Sequence, residues 1–367
     1  MNPKTRVAAI QAAPVWLDRE RSIVKACDLV LEAGRRGADL VVFGETWLPT
    51  YPYWSLGFTT PVKAWLEVTV ALQDNALRIP SDDTVRLGEA ARTAGTYVVF
   101  GCNEMDDRPG SRTLFNSVLF LDDRGKVLGR HRKLVPTYGE RLLHGPGDGA
   151  DLNVYETPVG RLGALVCGEH RMILARAALL LQGEEIHAAL WPGMFRVAND
   201  GQRLSAPDTE PPYRCYAHAA IRQHALEGGC FVVSASTYVP PKSVPADFPL
   251  ETFADVGCGG STVIDPFGQY LAEPVFGDVD MVVVDCEERM IKAAKAFFDG
   301  LGHYSRFDTL RLQRRTRPWE PVVPMDAGVK FGPVDQGALR RLADQYAISE
   351  DTLERIADEV LSVARKS

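Results

Sequence analysis

Short runs of apolar and β-branched residues recur along the chain with turn residues between them: Val7–Gln11, Leu40–Phe43, Tyr97–Cys102, Ser117–Leu121, Leu162–Cys167, Ala188–Trp191, Phe231–Ser234, Thr262–Ile264 and Met281–Val284. Runs of this length, bounded by Gly, Pro and Asp, predict strands. Arg21–Arg36, Thr84–Thr93 and Arg171–Gln182 predict helices, closed by Gly37, Gly95 and Gly183, since glycine takes the left-handed conformation that ends a helix at little cost. Two connections are too short for a helical crossover. Ser117–Leu121, the turn Asp122-Asp123-Arg124-Gly125 and Val127–Arg130 read as a hairpin, and Thr262–Ile264, Asp265-Pro266-Phe267-Gly268 and Gln269–Leu271 repeat the plan. Crossovers and hairpins together predict an α/β fold with a mixed sheet or pair of sheets flanked by helices.

The polar stretch from Arg196 to Glu210 and the four prolines of Pro240–Pro249 read as surface excursions, and no linker divides the chain. After Arg306 the pattern changes to a basic, proline-containing stretch. Two short helical patterns follow, one with Leu339, Leu342 and Tyr346, the other with Leu353, Ile356 and Val360. The chain therefore divides into a core of residues 1–306 and a C-terminal helical extension, 307–367.

Composition narrows the classes. With 367 residues, 46% hydrophobic and 24% charged, the chain suits an ordinary globular protein. A net charge of -7 and a pI near 5.6 argue against nucleic acid, whose binding needs a concentrated basic surface. The C-terminal pattern superficially resembles a helix-turn-helix, but its would-be recognition helix carries Glu350, Asp351, Glu354, Asp358 and Glu359, the wrong sign for phosphates. A packed helical pair or assembly contact is the better reading, with Asp351 and Glu354 in capping-box spacing. Gln11 interrupts the apolar stretch near the N-terminus, and no window approaches a membrane-spanning length, so a soluble, cytoplasmic protein is expected. Seven scattered cysteines without a Cys-x-x-Cys pair suggest neither a disulfide framework nor a zinc site, and no cofactor or metal is expected.

Three residues carry candidate chemistry. Cys167 ends an apolar run and precedes a helical stretch; a sulfur at a strand-to-helix turn is favoured as thiolate and meets backbone N–H groups, that of Gly168 first, which can stabilise a developing anion. A buried inert thiol is the alternative. Glu45 follows a buried strand and precedes an aromatic loop, where partial burial would raise its pKa toward that of a general base, although a capping glutamate fits the position too. Lys133, at a strand end, can stabilise a thiolate or a tetrahedral anion, or be merely exposed. Glu140 offers a second carboxylate, as a structural salt bridge with Arg141 or Lys133 or as a positioning group. Tyr51, Tyr53 and Trp54 after Glu45, and Trp191, Pro192 and Met194 after a later strand, could line an apolar pocket or belong to the core. His170 could hydrogen-bond near the site or be a satisfied structural histidine. A Cys–His pair of the papain kind is disfavoured, because no histidine has a distinguishing context.

Phe43-Gly44-Glu45-Thr46-Trp47-Leu48-Pro49 with Tyr51-Pro52-Tyr53-Trp54, His131-Arg132-Lys133-Leu134-Val135-Pro136-Thr137 with Glu140-Arg141, and Cys167-Gly168-Glu169 occur in order and at sensible spacing, followed by Gly259-Gly260-Ser261, Asp265-Pro266-Phe267-Gly268 and Gly302-His303-Tyr304-Ser305-Arg306. The series, from Arg6 to Asp308, resembles the nitrilase superfamily and its nitrilase branch. The resemblance implies a four-layer αββα sandwich of the nitrilase type. It also implies Glu45 as base, Lys133 as electrostatic stabiliser, Cys167 as nucleophile and Glu140 as the glutamate that positions substrate or lysine. The activity implied is hydrolysis of a small-molecule nitrile to acid and ammonia through a Cys thioimidate and thioester, with amide as a by-product. A homodimer that extends into larger oligomers or spirals is implied as well, through added segments and the C-terminal region. His170 stands where the family pattern has Asn, and Phe307 where it has Pro. The alternatives are an amidase or carbamoyl hydrolase, or a cyanide-converting enzyme, using the same residues.

Overall fold

In the computed structural model the described residues are 1–55, 60–193, 216–245, 248, 257–318, 349, 351, 352 and 355. Contacts divide the chain into two compact units, Met1–Pro318 and Trp319–Ser367. The first holds β1 (Lys4–Gln11), β2 (Leu40–Val42), β3 (Tyr97–Met105), β4 (Leu114–Leu121), β5 (Val127–Arg132), β6 (Leu162–Val166), β7 (Ile186–Trp191), β8 (Phe231–Ser236), β9 (Gly259–Ile264), β10 (Tyr270–Phe276) and β11 (Asp280–Glu287). Its α-helices are α1 (Arg19–Arg35), α2 (Val62–Asp74), α3 (Asp82–Ala94), α4 (Ile173–Leu180), α5 (Tyr216–Gly228) and α6 (Glu288–Phe297).

The strands form two sheets, ordered β11-β1-β2-β3-β4-β5 and β10-β9-β8-β7-β6. Within them β1-β2-β3 and β6-β7-β8 run parallel, as helical crossovers require. The two predicted hairpins are the antiparallel pairs β4–β5 and β9–β10.

Alternation along the strands explains why the sheets stack. Val7 and Ala9 of β1 and Leu40 and Val42 of β2 enter one core with Leu162, Ala164 and Val166 of β6 and Val233 of β8. Their neighbours Ala8, Ile10 and Val41 face the other way, onto Ile23, Ala26 and Val30 of α1 and Leu87 and Ala91 of α3. On the second sheet Leu165 meets Ala175, Ala178 and Leu179 of α4. Both sheets are thus covered on both faces, giving the αββα sandwich. Gln11 ties the layers together, its Oε1 accepting the backbone N–H groups of Gly260 and Ser261 at 3.0 and 2.8 Å.

Three helices, α2, α5 and α6, are additions to the sequence reading. A fourth, α4, starts at Ile173 rather than Arg171, and residues 167–171 form a separate 3-10 turn. Among the described residues no helix is long and apolar enough to cross a membrane. Residues 307–318 lie within the first unit, where Arg314 hydrogen-bonds the Leu152 carbonyl. The C-terminal helical patterns, Met194 and the 196–210 stretch lie outside the described residues, apart from isolated positions near Ser349.

Candidate active site

Glu45 lies just past β2, Lys133 just past β5, and Cys167 just past β6. In α/β sheets the ends of parallel strands are where ligand sites form. The carboxylate is brought there by tight packing. A Cβ on Gly101 would lie 2.0 Å from the Gly44 carbonyl oxygen, and one on Gly44 would lie 2.4 Å from Thr237 Oγ1. Only glycines let these backbones approach so closely. The Glu45 N–H then donates to the Trp191 carbonyl at 3.1 Å, which fixes the residue to the end of β7 in the opposite sheet.

Lys133 is wholly buried, and its Nζ donates to Glu45 Oε1 at 2.7 Å and to Glu140 Oε1 and Oε2 at 3.0 and 2.9 Å. Burial of a lysine disfavours its charge, but the carboxylates of Glu140 and Glu45 outweigh that and hold the ammonium well above its ordinary range. Glu140 is held below its ordinary value: burial opposes ionisation, while Lys133 and the Tyr51 hydroxyl, which donates to Oε1 at 2.6 Å, favour it. Its Oε2 also accepts the Thr137 N–H at 3.1 Å. Glu45 goes the other way. Burial pushes it up to about 7, opposed by Lys133 and reinforced by the Glu140 charge. Asn116 Nδ2 donates to Glu45 Oε1 at 2.7 Å, whereas the buried Oε2 has no hydrogen-bond partner among the described residues.

Cys167 is buried and lies within reach of the charges of Glu45, Lys133 and Glu140. Its φ of 48° places a non-glycine residue in the left-handed region, a conformation that costs about 1–3 kcal/mol and persists only where neighbours impose it. Glu169 imposes part of it. This buried carboxylate accepts the N–H groups of Val166 at 2.9 Å and Leu134 at 2.7 Å, and it pairs with His131 Nε2 at 3.0 Å. One side chain thereby ties the strand end bearing Cys167 to the strand end bearing Lys133.

The sequence expectation of a thiolate favoured by a helix N-terminus is corrected here. Cys167 opens a five-residue 3-10 turn and α4 begins only at Ile173. Burial, with Glu45 next, pushes the thiol well above its ordinary pKa, despite Lys133 and a hydrogen bond from the Gly168 N–H. The shift favours the thiol over the thiolate.

Of the predicted pocket residues, Tyr51 is joined to the site through Glu140. Tyr53 donates its hydroxyl to the Pro192 carbonyl at 2.5 Å, and Trp54 packs in an apolar cluster with Leu72, Ala76, Met105 and Leu114. Trp191 stacks on His170, ring centroids 5.0 Å apart. His170 Nδ1 lies 2.8 Å from the Cys167 carbonyl.

Sequence reasoning missed Asn116, whose signal was a lone amide inside the apolar strand LFNSVLFL. It also missed His187 and His224, which with His170 and Glu184 form a buried chain. Glu184, His224 and Cys230 offer ligand atoms within 4.8 Å of one another, but both Glu184 oxygens already accept from His187 and His224, each at 2.8 Å. Both carboxylate oxygens are thereby taken up in a hydrogen-bond network.

The family model described as carbon-nitrogen hydrolase matches residues 6–296. A protein named nitrilase from Paraburkholderia phymatum is 37% identical over 90% of this chain and 92% of its own length. An aliphatic nitrilase from Rhodococcus rhodochrous is 36% identical over 86% and 84%. Among solved structures, a carbon-nitrogen hydrolase from Helicobacter pylori G27 superposes with a TM-score of 0.62 at 18% identity, covering 83% of this chain and 96% of that one. Nit3 of Saccharomyces cerevisiae, described as a member of branch 10 of the nitrilase superfamily, gives 0.61 at 17% identity over 81% and 94%.

Proposed function

Because this chain belongs to the carbon–nitrogen hydrolase family, on its nitrilase branch, we propose that it hydrolyses an organic nitrile to the carboxylic acid and ammonia, with Cys167 as nucleophile. The observation that carries the roles is the wholly buried Lys133 ammonium, clamped between Glu45 and Glu140 beside a protonated thiol. Two carboxylates in one site with opposite shifts divide naturally into a charged holder and a proton carrier.

Glu140 stays anionic and fixes Lys133. Glu45, through its unpartnered Oε2, takes the Cys167 proton as the sulfur bonds to the nitrile carbon. That proton passes to the nitrile nitrogen, giving a thioimidate. The Lys133 ammonium and the Gly168 N–H stabilise the charge that develops in transit. Glu45 next removes a proton from water, whose oxygen adds to the thioimidate carbon. Cleavage of the carbon–nitrogen bond, with protonation of the leaving group, releases ammonia and leaves a thioester. A second water, activated in the same way, breaks the carbon–sulfur bond and returns the thiol and the acid. Should the tetrahedral intermediate expel sulfur instead of ammonia, the product is the amide. No cofactor enters this scheme.

The test is ammonia release with product identification across phenylacetonitrile, benzonitrile, mandelonitrile, fumaronitrile, cyanide and the matching amides, for wild type and Cys167→Ala. Acid formed from a nitrile by the wild type alone is the expected result. Turnover of amides only would replace the reading with an amidase, and undiminished activity of Cys167→Ala would remove the nucleophile.

A further inference from the structure

Behind the nucleophile runs an unbroken line of buried polar contacts. The Cys167 carbonyl meets His170 Nδ1 at 2.8 Å, His170 Nε2 meets His187 Nε2 at 3.0 Å, His187 Nδ1 meets Glu184 Oε1 at 2.8 Å, and Glu184 Oε2 meets His224 Nε2 at 2.8 Å. His170, His187, Glu184 and His224 are all at most 1% exposed.

The protons along this line can be counted. A carbonyl oxygen only accepts, so His170 carries its proton on Nδ1. Burial, with the neighbouring His187 next, keeps His170 well below the ordinary histidine range, so its Nε2 is bare and must accept. Two ring nitrogens 3.0 Å apart share one proton, and it therefore sits on His187 Nε2. At the other end Glu184 is ionised: burial alone would raise its pKa, but the flanking imidazoles hold it at about 2. Its two oxygens hold the His187 and His224 rings in place. His224 donates from Nε2 and is neutral, since its Nδ1 has no partner among the described residues and burial pushes its pKa down to about 4.

We infer that His187, held on Glu184, locks His170 in the tautomer that donates to the carbonyl of the nucleophile. His170 is then a positioning residue. Its hydrogen bond and its stacking on Trp191 help to hold Cys167 in the left-handed conformation that directs the sulfur toward Glu45. The catalytic consequence rests on the reading of Cys167 as nucleophile; the protonation pattern does not.

Two measurements separate these layers. Magic-angle-spinning 15N spectra of histidine-labelled protein, assigned with single histidine variants, report protonation at each ring nitrogen without any turnover. The expected pattern is His170 with its proton on Nδ1 and a bare Nε2. His170 protonated on Nε2, or bare on Nδ1, overturns the inference.

Kinetics test the positioning role through side chains that keep different ends of the imidazole. Asn places an amide N–H near the position of Nδ1 and can still donate to the Cys167 carbonyl, whereas Gln places its amide near Nε2 and cannot. His170→Gln should lose about tenfold or more in kcat with KM little changed, as misplacement of a reacting group does, and His170→Asn should recover most of that loss. Equal kcat in the two variants, or a loss confined to KM, sinks the positioning role. If wild type turns over no nitrile or amide, the proposed function fails, and the spectra still decide the protonation pattern.

Discussion

The proton economy of the site resides in single residues. Lys133 and Glu140 cancel, so the site is neutral when Glu45 is protonated and carries one negative charge when it is not. The base proposed at Glu45 works only in the carboxylate form, so kcat/KM should fall as pH drops through about 7. Part of that elevated value comes from the Glu140 charge. Glu140→Gln removes the charge and leaves Lys133 to Glu45 alone, so the acid limb should move to lower pH even as overall activity declines. A kcat/KM profile from pH 5 to 9 for both proteins checks this; a limb that stays in place or moves upward would assign it to another group. Glu45, Lys133 and Cys167 were legible in the sequence because each follows a recognisable strand, and Glu140 because it adjoins the Lys133 segment. Asn116, His187 and His224 were not. Their roles arise from contacts between residues far apart in sequence, such as Glu184 with His224, which no local pattern encodes.

Individual elements were legible in proportion to their periodicity. All the strand runs and both hairpin turns are present, because alternating or continuous apolar residues next to Gly and Asp leave few alternatives. Two of the helices that escaped detection, α2 and α5, bury few large apolar side chains. Buried positions of α5 are filled by Ala217, Ile221 and Ala225 together with His218 and His224, and α2 buries little beyond Thr69 and Leu72. The start of α4 was misplaced because the five residues before it are held by Glu169 and His170 contacts rather than by helical bonding. Where elements meet, the tolerance is small. Gly101 on β3 packs its Cα against the Gly44 carbonyl, so Gly101→Ala must push the β2 end and Glu45 aside. Overpacking of this kind costs about 1–3 kcal/mol. The expected outcome is a lower thermal unfolding midpoint together with a loss in kcat. An unchanged kcat would mean that Glu45 does not depend on this contact for its place.

For the molecule as a whole, a mixed sheet or pair of sheets followed from the mixture of crossovers and hairpins and the four-layer sandwich from the nitrilase resemblance, but association leaves a fainter trace. A sequence shows which residues are apolar; only the fold shows which of them remain uncovered. On α2, Val62, Leu66 and Val70 recur every fourth residue and are 75%, 51% and 52% exposed. On α4, Ile173 and Leu174 are 71% and 69% exposed. Helices normally turn such a stripe inward, and full burial of each side chain stabilises by at most about 1.5–3 kcal/mol. A second copy of the chain that covered these ridges would recover much of that energy, in keeping with the homo-oligomer expected from the nitrilase resemblance. Light scattering coupled to size exclusion should therefore give a mass of at least twice 40.4 kDa. Val62→Asp with Leu66→Asp should lower that mass if α2 is the contact, and Ile173→Asp with Leu174→Asp should do so if α4 is. All four side chains are exposed, so neither pair disturbs the core, and a smaller assembly would report the contact itself. A wild-type mass of one chain would show that the ridges stay open to solvent.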